Sequence, residues 1–577
     1  MAARSADLDV RRIRFGGLLA RGWLTEVAGV LAVVAIALLL LARLLTSSWN
    51  DIFLYNGDSL VLPLIGESIV NNEPFEWVFS SQLFLFPEVP LYAVSALITT
   101  TPQAALIVNA CLNLLLLYAV LRVIGALLMP RGTSRLMLVV CSVLSVVLFA
   151  AFVVLEPSPS VNGVAVATLY LVTTYYYGAV VAGLTVFVLT LWFIRSRPSD
   201  VTHRWFTVTY LASVIVIGTL AATSNPLFLF QFVAPLAATL IVVVFLNRLG
   251  WVEFAIIAGA QVVVTVSSMT ARVVLAPFLS ADVSRYVRPE DLPQSLDVLE
   301  HVVAELLSSP SGMIKFTLVS VVILVSLALA VRALYAAARP RIADRISSGD
   351  VFVHVFVTLS VIILLAGFVA TGSTTTRYLL PIFVLPVMGA QVVMLRVAGW
   401  LWSRFLTGSS RRLRVARTLS VSAIASILTV LTVGALAWGA PRVLLASSGD
   451  RYDYPACLDR FLAGTQADGV ASFWVGRQLE VYGSHSGDVL QVDSRLGVDS
   501  WMINLASYID QDFSFVVVDG NIITDESVEP LGKPAAVINC PAYEIYDYAG
   551  VRGDETLDRM IGKSLETARQ GHGFAGE

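Results

Sequence analysis

The feature that most constrains this chain is a ladder of apolar runs, each near or above the roughly 20 residues that an α-helix needs to cross a hydrocarbon core. They lie at about 25–46, 103–128, 135–155, 175–194, 205–222, 226–247, 251–272, 313–335, 351–371, 377–396 and 418–440. Inside lipid every backbone N–H and C=O must be paired within the protein, so uninterrupted apolar segments of this length fold as helices. The expected fold class is an α-helical polytopic membrane protein of about 11 transmembrane helices with a small extracytoplasmic α/β domain at its C-terminus. Composition agrees, because 57% hydrophobic and 14% charged residues in a chain of 577 are values for a protein solvated by lipid. A net charge of -3 offers no field to recruit nucleic acid, so no nucleic-acid partner is expected.

An odd number of spans puts the termini on opposite faces. Arg11, Arg12, Arg14 and Arg21 precede the first run, and no small-residue cleavage signature follows it, so it reads as a retained signal anchor. Arg131 and Arg135, Arg195, Arg197 and Arg204, Arg248, Arg332 to Arg345, and Arg396 to Arg417 then all fall on the N-terminal side. Cytoplasmic loops hold the excess of arginine and lysine, which makes the N-terminus cytoplasmic and the C-terminal domain extracytoplasmic in a plasma (inner) membrane. This alternation holds only if the apolar stretches 88–100 and 161–173 do not cross. They are expected as half-inserted or interfacial helices on the outer face.

The expected organisation is a basic N-terminus at 1–24, a transmembrane domain at 25–440 with long outer loops at 47–102 and 273–312, an α/β domain at 441–552, and a polar tail at 553–577 that frays. Long loops are where binding and catalysis concentrate. Within 273–312, Leu296, Leu299, Val303 and Leu306 recur at helical spacing among Asp297, Glu300, His301 and Glu305, which predicts an amphipathic surface helix acting as a lid. Strand-like runs fall at 470–475, 479–482, 489–492, 513–518, 535–539 and 543–546, with a helical pattern at 500–508. Cys457 and Cys540 lie in this domain, and an oxidising compartment there predicts a disulfide between them. Gly571, Gly573 and Gly576 match G-x-G-x-x-G by chance, with no strand before and no helix after.

Chemistry-bearing residues concentrate in the first outer loop. Asp58 sits in an Asn-Gly-Asp turn beside an apolar run, where a carboxylate could act as a base toward a hydroxyl; capping the following helix is the competing structural reading. Asp51 competes for the same role, while Glu67 and Glu88 read as structural on their own. Late in the chain, Gly372-Ser-Thr-Thr-Thr-Arg377-Tyr378-Leu-Leu-Pro381 places a guanidinium at the start of a span, suited to a phosphate or diphosphate at the lipid surface. A snorkelling arginine is the alternative. Arg272, Arg285 and Arg288 form a second positive cluster. Ser224-Asn225-Pro226 reads as a chain reversal, and Tyr175, Tyr176 and Tyr177 as an interfacial aromatic belt that could also stack on a sugar. No Walker motif, H-E-x-x-H or nucleophile elbow occurs.

The set of Asp58 shortly after the first span, a long loop through Trp77 to Phe86-Pro87-Glu88, the Arg377-Tyr378-Leu-Leu-Pro381 motif and an outward C-terminal domain resembles the GT-C type membrane glycosyltransferases that use polyprenyl-phosphate-linked sugars. The resemblance covers most of the chain as architecture and a handful of residues as motif. It implies Asp58 or Asp51 as the general base, Arg377, Tyr378, Arg285 and Arg288 as holders of the donor phosphate, and Trp77 and Glu88 as substrate-lining residues. It also implies a lipid-phosphate-sugar donor, a glycan, lipid or protein acceptor of the cell envelope, and leaves open a divalent cation as cofactor. Paired acidic residues are common in that family, whereas here Asp51 and Asp58 are separated. Two other classes compete with the enzyme. A transporter or flippase of lipid-linked glycans would favour mid-membrane charge, broken helices and repeat symmetry, none of which is clear; a non-catalytic envelope scaffold would use the C-terminal domain to bind a partner.

Overall fold

The computed structural model describes residues 2–130, 132–156, 163–196, 202–281, 287–337, 347–401, 426, 429–449, 452–463, 467–484 and 488–574, with no side-chain account before residue 22 or at 202–203. Arg131, Arg197, Arg285, the 338–346 loop, the basic segment 402–425 and the first part of the expected span at 418–440 lie outside the described residues.

Ten helices among the described residues are long and apolar enough to cross a membrane: Gly22–Leu45, Pro102–Leu128, Arg135–Val154, Tyr177–Arg195, Arg204–Ser224, Trp251–Val274, Pro310–Ala336, Ser348–Ala370, Thr376–Leu401 and Thr429–Ser447. The chain is a multi-pass membrane protein. The remaining expected position, 226–247, is filled by a shorter apolar helix, Leu229–Phe245. It is short because the Ser224-Asn225-Pro226 reversal uses up its first residues and a π turn at Leu229–Val233 opens it.

Local chemistry sets the helix ends. Thr101 accepts a bond from the Ala104 N–H at 3.2 Å and Pro102 occupies the first turn, where its missing N–H costs nothing. Helices Tyr177–Arg195 and Thr376–Leu401 are central and mostly buried, whereas Arg204–Ser224, Trp251–Val274 and Pro310–Ala336 are peripheral and expose most of their surface. Ion pairs Arg122–Glu26 and Arg396–Asp350 sit at the helix ends remote from the α/β domain, where Arg135, Arg195, Arg204 and Arg248 also fall.

Neither of the two stretches 88–100 and 161–173 forms a helix long enough to cross a membrane among the described residues. Residues 88–97 form a ten-residue helix that exposes Val94 and Leu97 on one side, in keeping with half-insertion. The other stretch is not interfacial. Val164 to Val172 are buried, and Glu156 pins the short 3-10 turn Ala167–Tyr170 by accepting from the N–H groups of Ala167 and Thr168 at 2.7 and 3.0 Å. The expected lid is the helix Leu292–Ser308; its Leu306 is buried and Leu299 packs inward, while Leu296 and Val303 stay partly exposed.

Seven strands occur among the described residues: β1 Trp77–Val78, β2 Asp468–Ala471, β3 Val489–Gln491, β4 Ile503–Asn504, β5 Phe513–Val518, β6 Ala536–Asn539 and β7 Glu544–Asp547. Five of them make one sheet in the order β3-β2-β5-β7-β6, parallel from β3 to β5 and antiparallel beyond. The expected strand at 479–482 is instead the last turn of the helix Phe473–Tyr482, the crossover that β2 needs to reach parallel β3. The expected helical pattern at 500–508 holds only as the 3-10 turn Leu505–Tyr508 after β4. The tail does not fray from 553 either. Arg552–His572 is a helix whose Leu557 and Ile561 enter the sheet's core beside Val516 and Tyr548, because its apolar residues keep helical spacing despite a polar average. Gly573, at φ +72, ends it as a left-handed cap. Cys457 and Cys540 are joined as a disulfide with their Cα atoms 5.8 Å apart.

The first long loop seats this domain on the helices. β1 pairs antiparallel with β4, Glu76 and Arg569 form an ion pair at 2.7 Å, and Tyr55 stacks on Tyr452 with ring centroids 3.7 Å apart.

Candidate active site

Asp58 leaves the Asp51–Tyr55 turn and precedes the helix Val61–Val70. Its N–H donates to Asn56 Oδ1 at 3.0 Å, so the Asn-Gly-Asp sequence closes on itself as an Asx turn. No side-chain cap bond is made at the start of Val61–Val70, so helix capping does not occupy this carboxylate. Tyr175 donates its hydroxyl to Asp58 Oδ2 at 3.0 Å and to Asn56 Oδ1 at 3.1 Å. Burial first, and the nearby carboxylate second, push the Tyr175 phenol well above its ordinary pKa, so it stays a donor. Thr174 Oγ1 donates to the Asp58 carbonyl at 2.6 Å.

Arg377 opens the last turn before the helix Pro381–Leu401, and its Nη1 stands 3.9 Å from Asp58 Oδ2. That distance is an ion pair without a hydrogen bond. The guanidinium lies over the rings of Tyr175 and Tyr176 at 5.6 and 5.7 Å, and its Nε is buried with no hydrogen-bond partner. The side chains of Arg377 and Asp58 are 24% and 18% exposed, enough for a ligand to reach both. Tyr378 packs edge-on against Tyr176, and its carbonyl accepts from Gln231 Nε2 at 2.9 Å. The structure thus brings Asp58, Arg377 and Tyr378 to one place from opposite ends of the chain.

The other candidates are distributed differently. Asp51 is exposed, and its charge bears on Tyr55 and Tyr452 at the domain contact rather than on Arg377. Arg288 is exposed on the loop whose backbone N–H donates to the Thr371 carbonyl at 2.8 Å. Arg285 lies outside the described residues. Arg272 is buried and donates to the Thr223 and Ser81 carbonyls at 2.9 Å each, so it braces a loop. Trp77 is 2% exposed, pairs in β1 and donates Nε1 to Ser68 Oγ at 3.2 Å; it backs a cavity of about 110 Å³ with Glu67, Glu73, Glu480 and Asp488 instead of lining an open cleft. Glu88 is fully buried against Gly178, where an added Cβ would collide with its carboxylate, so no substrate reaches it. The three tyrosines are buried, not an interfacial belt, because the turn carrying them is folded under the Asp58 loop.

Sequence reasoning missed two features. Glu156 and Lys315 form an ion pair at 2.5 Å with neither side chain exposed. Lys315 Nζ also donates to the Val164 carbonyl at 3.1 Å, and Thr376, beside Arg377, donates to the neighbouring Gly163 carbonyl at 2.9 Å, so the strap at 163–168 joins this pair to the Arg377 turn. A glutamate just past a span and a lysine inside an apolar run were the available signals. Arg477, in the helix Phe473–Tyr482, reaches the Gly57 carbonyl at 3.2 Å; nothing in its sequence surroundings marks it. Burial lowers Arg477 to about 10, opposed chiefly by Asp58, so it is charged at neutral pH.

No protein-family profile matches this chain, and no curated protein sequence does. Among solved structures it is similar to the Archaeoglobus fulgidus oligosaccharyltransferase in the apo form, at 13% identity and a TM-score of 0.39, covering 85% of this chain and 69% of that one. That protein is a GT-C type membrane glycosyltransferase. A likeness of this strength carries no argument about chemistry, which rests on the residues above.

Proposed function

We propose that the chain is a GT-C-like integral membrane glycosyltransferase, moving a hexosyl or pentosyl unit with inversion from a polyprenyl-phosphate carrier to a cell-envelope acceptor. The single observation that carries this reading is the loose pairing of Asp58 with Arg377, both partly accessible at the helix ends that bear the α/β domain. Positive-inside sidedness makes that face the outer face of the plasma membrane, with the N-terminus cytoplasmic.

Asp58 Oδ2 is engaged by Tyr175 and faces Arg377, which leaves Oδ1 for an acceptor hydroxyl. The carboxylate takes the hydroxyl proton as the oxygen bonds to the anomeric carbon. The bond from that carbon to the phosphate oxygen breaks, and its electron pair leaves with the polyprenyl phosphate. One displacement inverts the anomeric centre. Arg377, anchored on two tyrosine rings, holds the charge that develops on the phosphate, and Tyr378, Arg288 and Arg285 are the further residues proposed to hold the donor. The donor set does not fit a divalent cation, since one carboxylate beside a guanidinium suits an anion, and no step is routed through a metal.

Reconstituted vesicles supplied with hexosyl and pentosyl polyprenyl phosphates and an envelope extract test the reading. Sugar should pass to an acceptor with the wild-type chain and not with Asp58→Asn. Transfer by the variant at the wild-type rate would remove Asp58 as the base.

A further inference from the structure

The turn that carries Asp58 is gripped by the C-terminal domain. Arg477 is 2% exposed, on a helix of that domain that also buries Phe473, Val475 and Leu479. Its Nη1 donates to the Gly57 carbonyl at 3.2 Å, one peptide before Asp58. Its Nε and Nη2 donate to Gln491 Oε1 at 3.3 and 3.2 Å, and Nη2 also reaches the Met502 carbonyl. The guanidinium stacks on Phe473 at 4.2 Å, and the Phe473 ring closes over Gly57 so tightly that a Cβ there would meet it at 2.7 Å. One residue turn earlier, the Tyr482 hydroxyl donates to the Leu54 carbonyl at 2.6 Å. Thr174 and Thr173 hold the opposite side through the carbonyls of Asp58 and Ser59 at 2.6 and 3.0 Å.

With its backbone clamped from two sides and its Oδ2 held by the Tyr175 hydroxyl, the Asp58 carboxylate is kept at its place opposite Arg377. The planar fork of arginine reaches Gly57, Gln491 and Met502 at once, which a lysine ammonium on one stem cannot. We infer that Arg477 is a positioning residue for transfer, through which the C-terminal domain holds Asp58 in its reactive place. The inference rests on the glycosyl-transfer reading. It makes the soluble domain a working part of the site and not an appended module.

The test uses the full chain in vesicles, with Arg477→Met, Arg477→Lys and Tyr482→Phe compared with wild type for kcat, donor KM and amide exchange. Arg477→Met should lower kcat on the order of 10- to 100-fold, as a displaced catalytic group does. Donor KM should stay within about twofold, because Arg377 is untouched. Arg477→Lys should recover part of kcat, and Tyr482→Phe should lose less than Arg477→Met. Exchange at 54–60 should speed up while β2 and β5 keep their protection. An unchanged kcat in Arg477→Met, or exchange that rises equally in β2 and β5, overturns the inference. If wild type transfers no sugar from any donor, the glycosyl-transfer reading falls by itself, and the exchange comparison still decides whether Arg477 holds the turn.

Discussion

Glu156 and Lys315 meet at 2.5 Å with neither side chain exposed, while Asp58 and Arg377 stand 3.9 Å apart with both side chains within reach of a ligand. The first pair is saturated. Glu156 also accepts from the backbone of Ala167 and Thr168 and from the Thr168 hydroxyl, and Lys315 also donates to the Val164 carbonyl and lies 4.4 Å from the Phe383 ring centroid. The second pair is left incomplete, with Arg377 Nε buried and unpartnered. A saturated pair has nothing left to offer a substrate and serves to hold the strap at 163–168 in place. An incomplete one retains the capacity to bind charge, and the strap that joins the saturated pair to the Arg377 turn lets the rigid element support the reactive one.

The comparison can be broken at several points. The largest expected effect is at the open pair, where Asp58→Asn should reduce sugar transfer by about 10²- to 10⁴-fold, measured as initial rate in vesicles, with little change in thermal stability. The sealed pair should respond in the opposite sense. Lys315→Met strands a buried carboxylate and should cost about 3–5 kcal/mol, read as a lowered melting temperature in detergent, whereas removing both charges in Glu156→Leu with Lys315→Met should restore most of the loss. If the single variant melts like wild type, the pair is not the brace described.

A smaller effect is expected from Arg377→Lys, which keeps the charge but loses the fork and the stacking on Tyr175 and Tyr176. Donor KM should rise on the order of tenfold with the fold unchanged, and an unaltered donor KM would detach Arg377 from the phosphate.

The smallest effect belongs to the cavity behind Trp77. Burial, then the neighbouring Asp488, raises Glu480 from the ordinary carboxyl value of 4.5 to about 8. The folded chain therefore binds more protons than the unfolded one between those values, so this group's contribution is fully present below pH 4.5 and declines as pH rises toward 8. Glu480→Gln should flatten that decline, seen as a melting temperature less sensitive to pH than that of wild type.

Much of the architecture was legible before any contact was known. The apolar ladder located the spans, and neither 88–100 nor 161–173 forms a helix long enough to cross a membrane among the described residues. Interfacial placement of the second stretch failed, because a hydropathy pattern cannot distinguish lipid exposure from burial under Glu156. Reading 479–482 as a strand failed for a similar reason: a short apolar run has no period long enough to separate strand from helix. In the site, Asp58, Arg377 and Tyr378 were singled out by residue type and position. Tyr175 was misread as a membrane-belt residue, and Arg477 was invisible, since a lone arginine on a mixed helix looks like any solvated one.

What the sequence alone determined is therefore the approximate places of the long apolar helices, the basic helix ends on one side and the mass of loops on the other. These follow from the thickness of hydrocarbon and the cost of charge within it, which each segment meets by itself. Tertiary structure decided which charges face one another: Glu156 with Lys315 in a sealed pair, Asp58 with Arg377 in an open one, and Arg477 against the turn between them and the soluble domain. Ion pairing depends on separations of a few ångströms between segments remote in sequence, and only the packing of the helices and the seating of the domain set those distances.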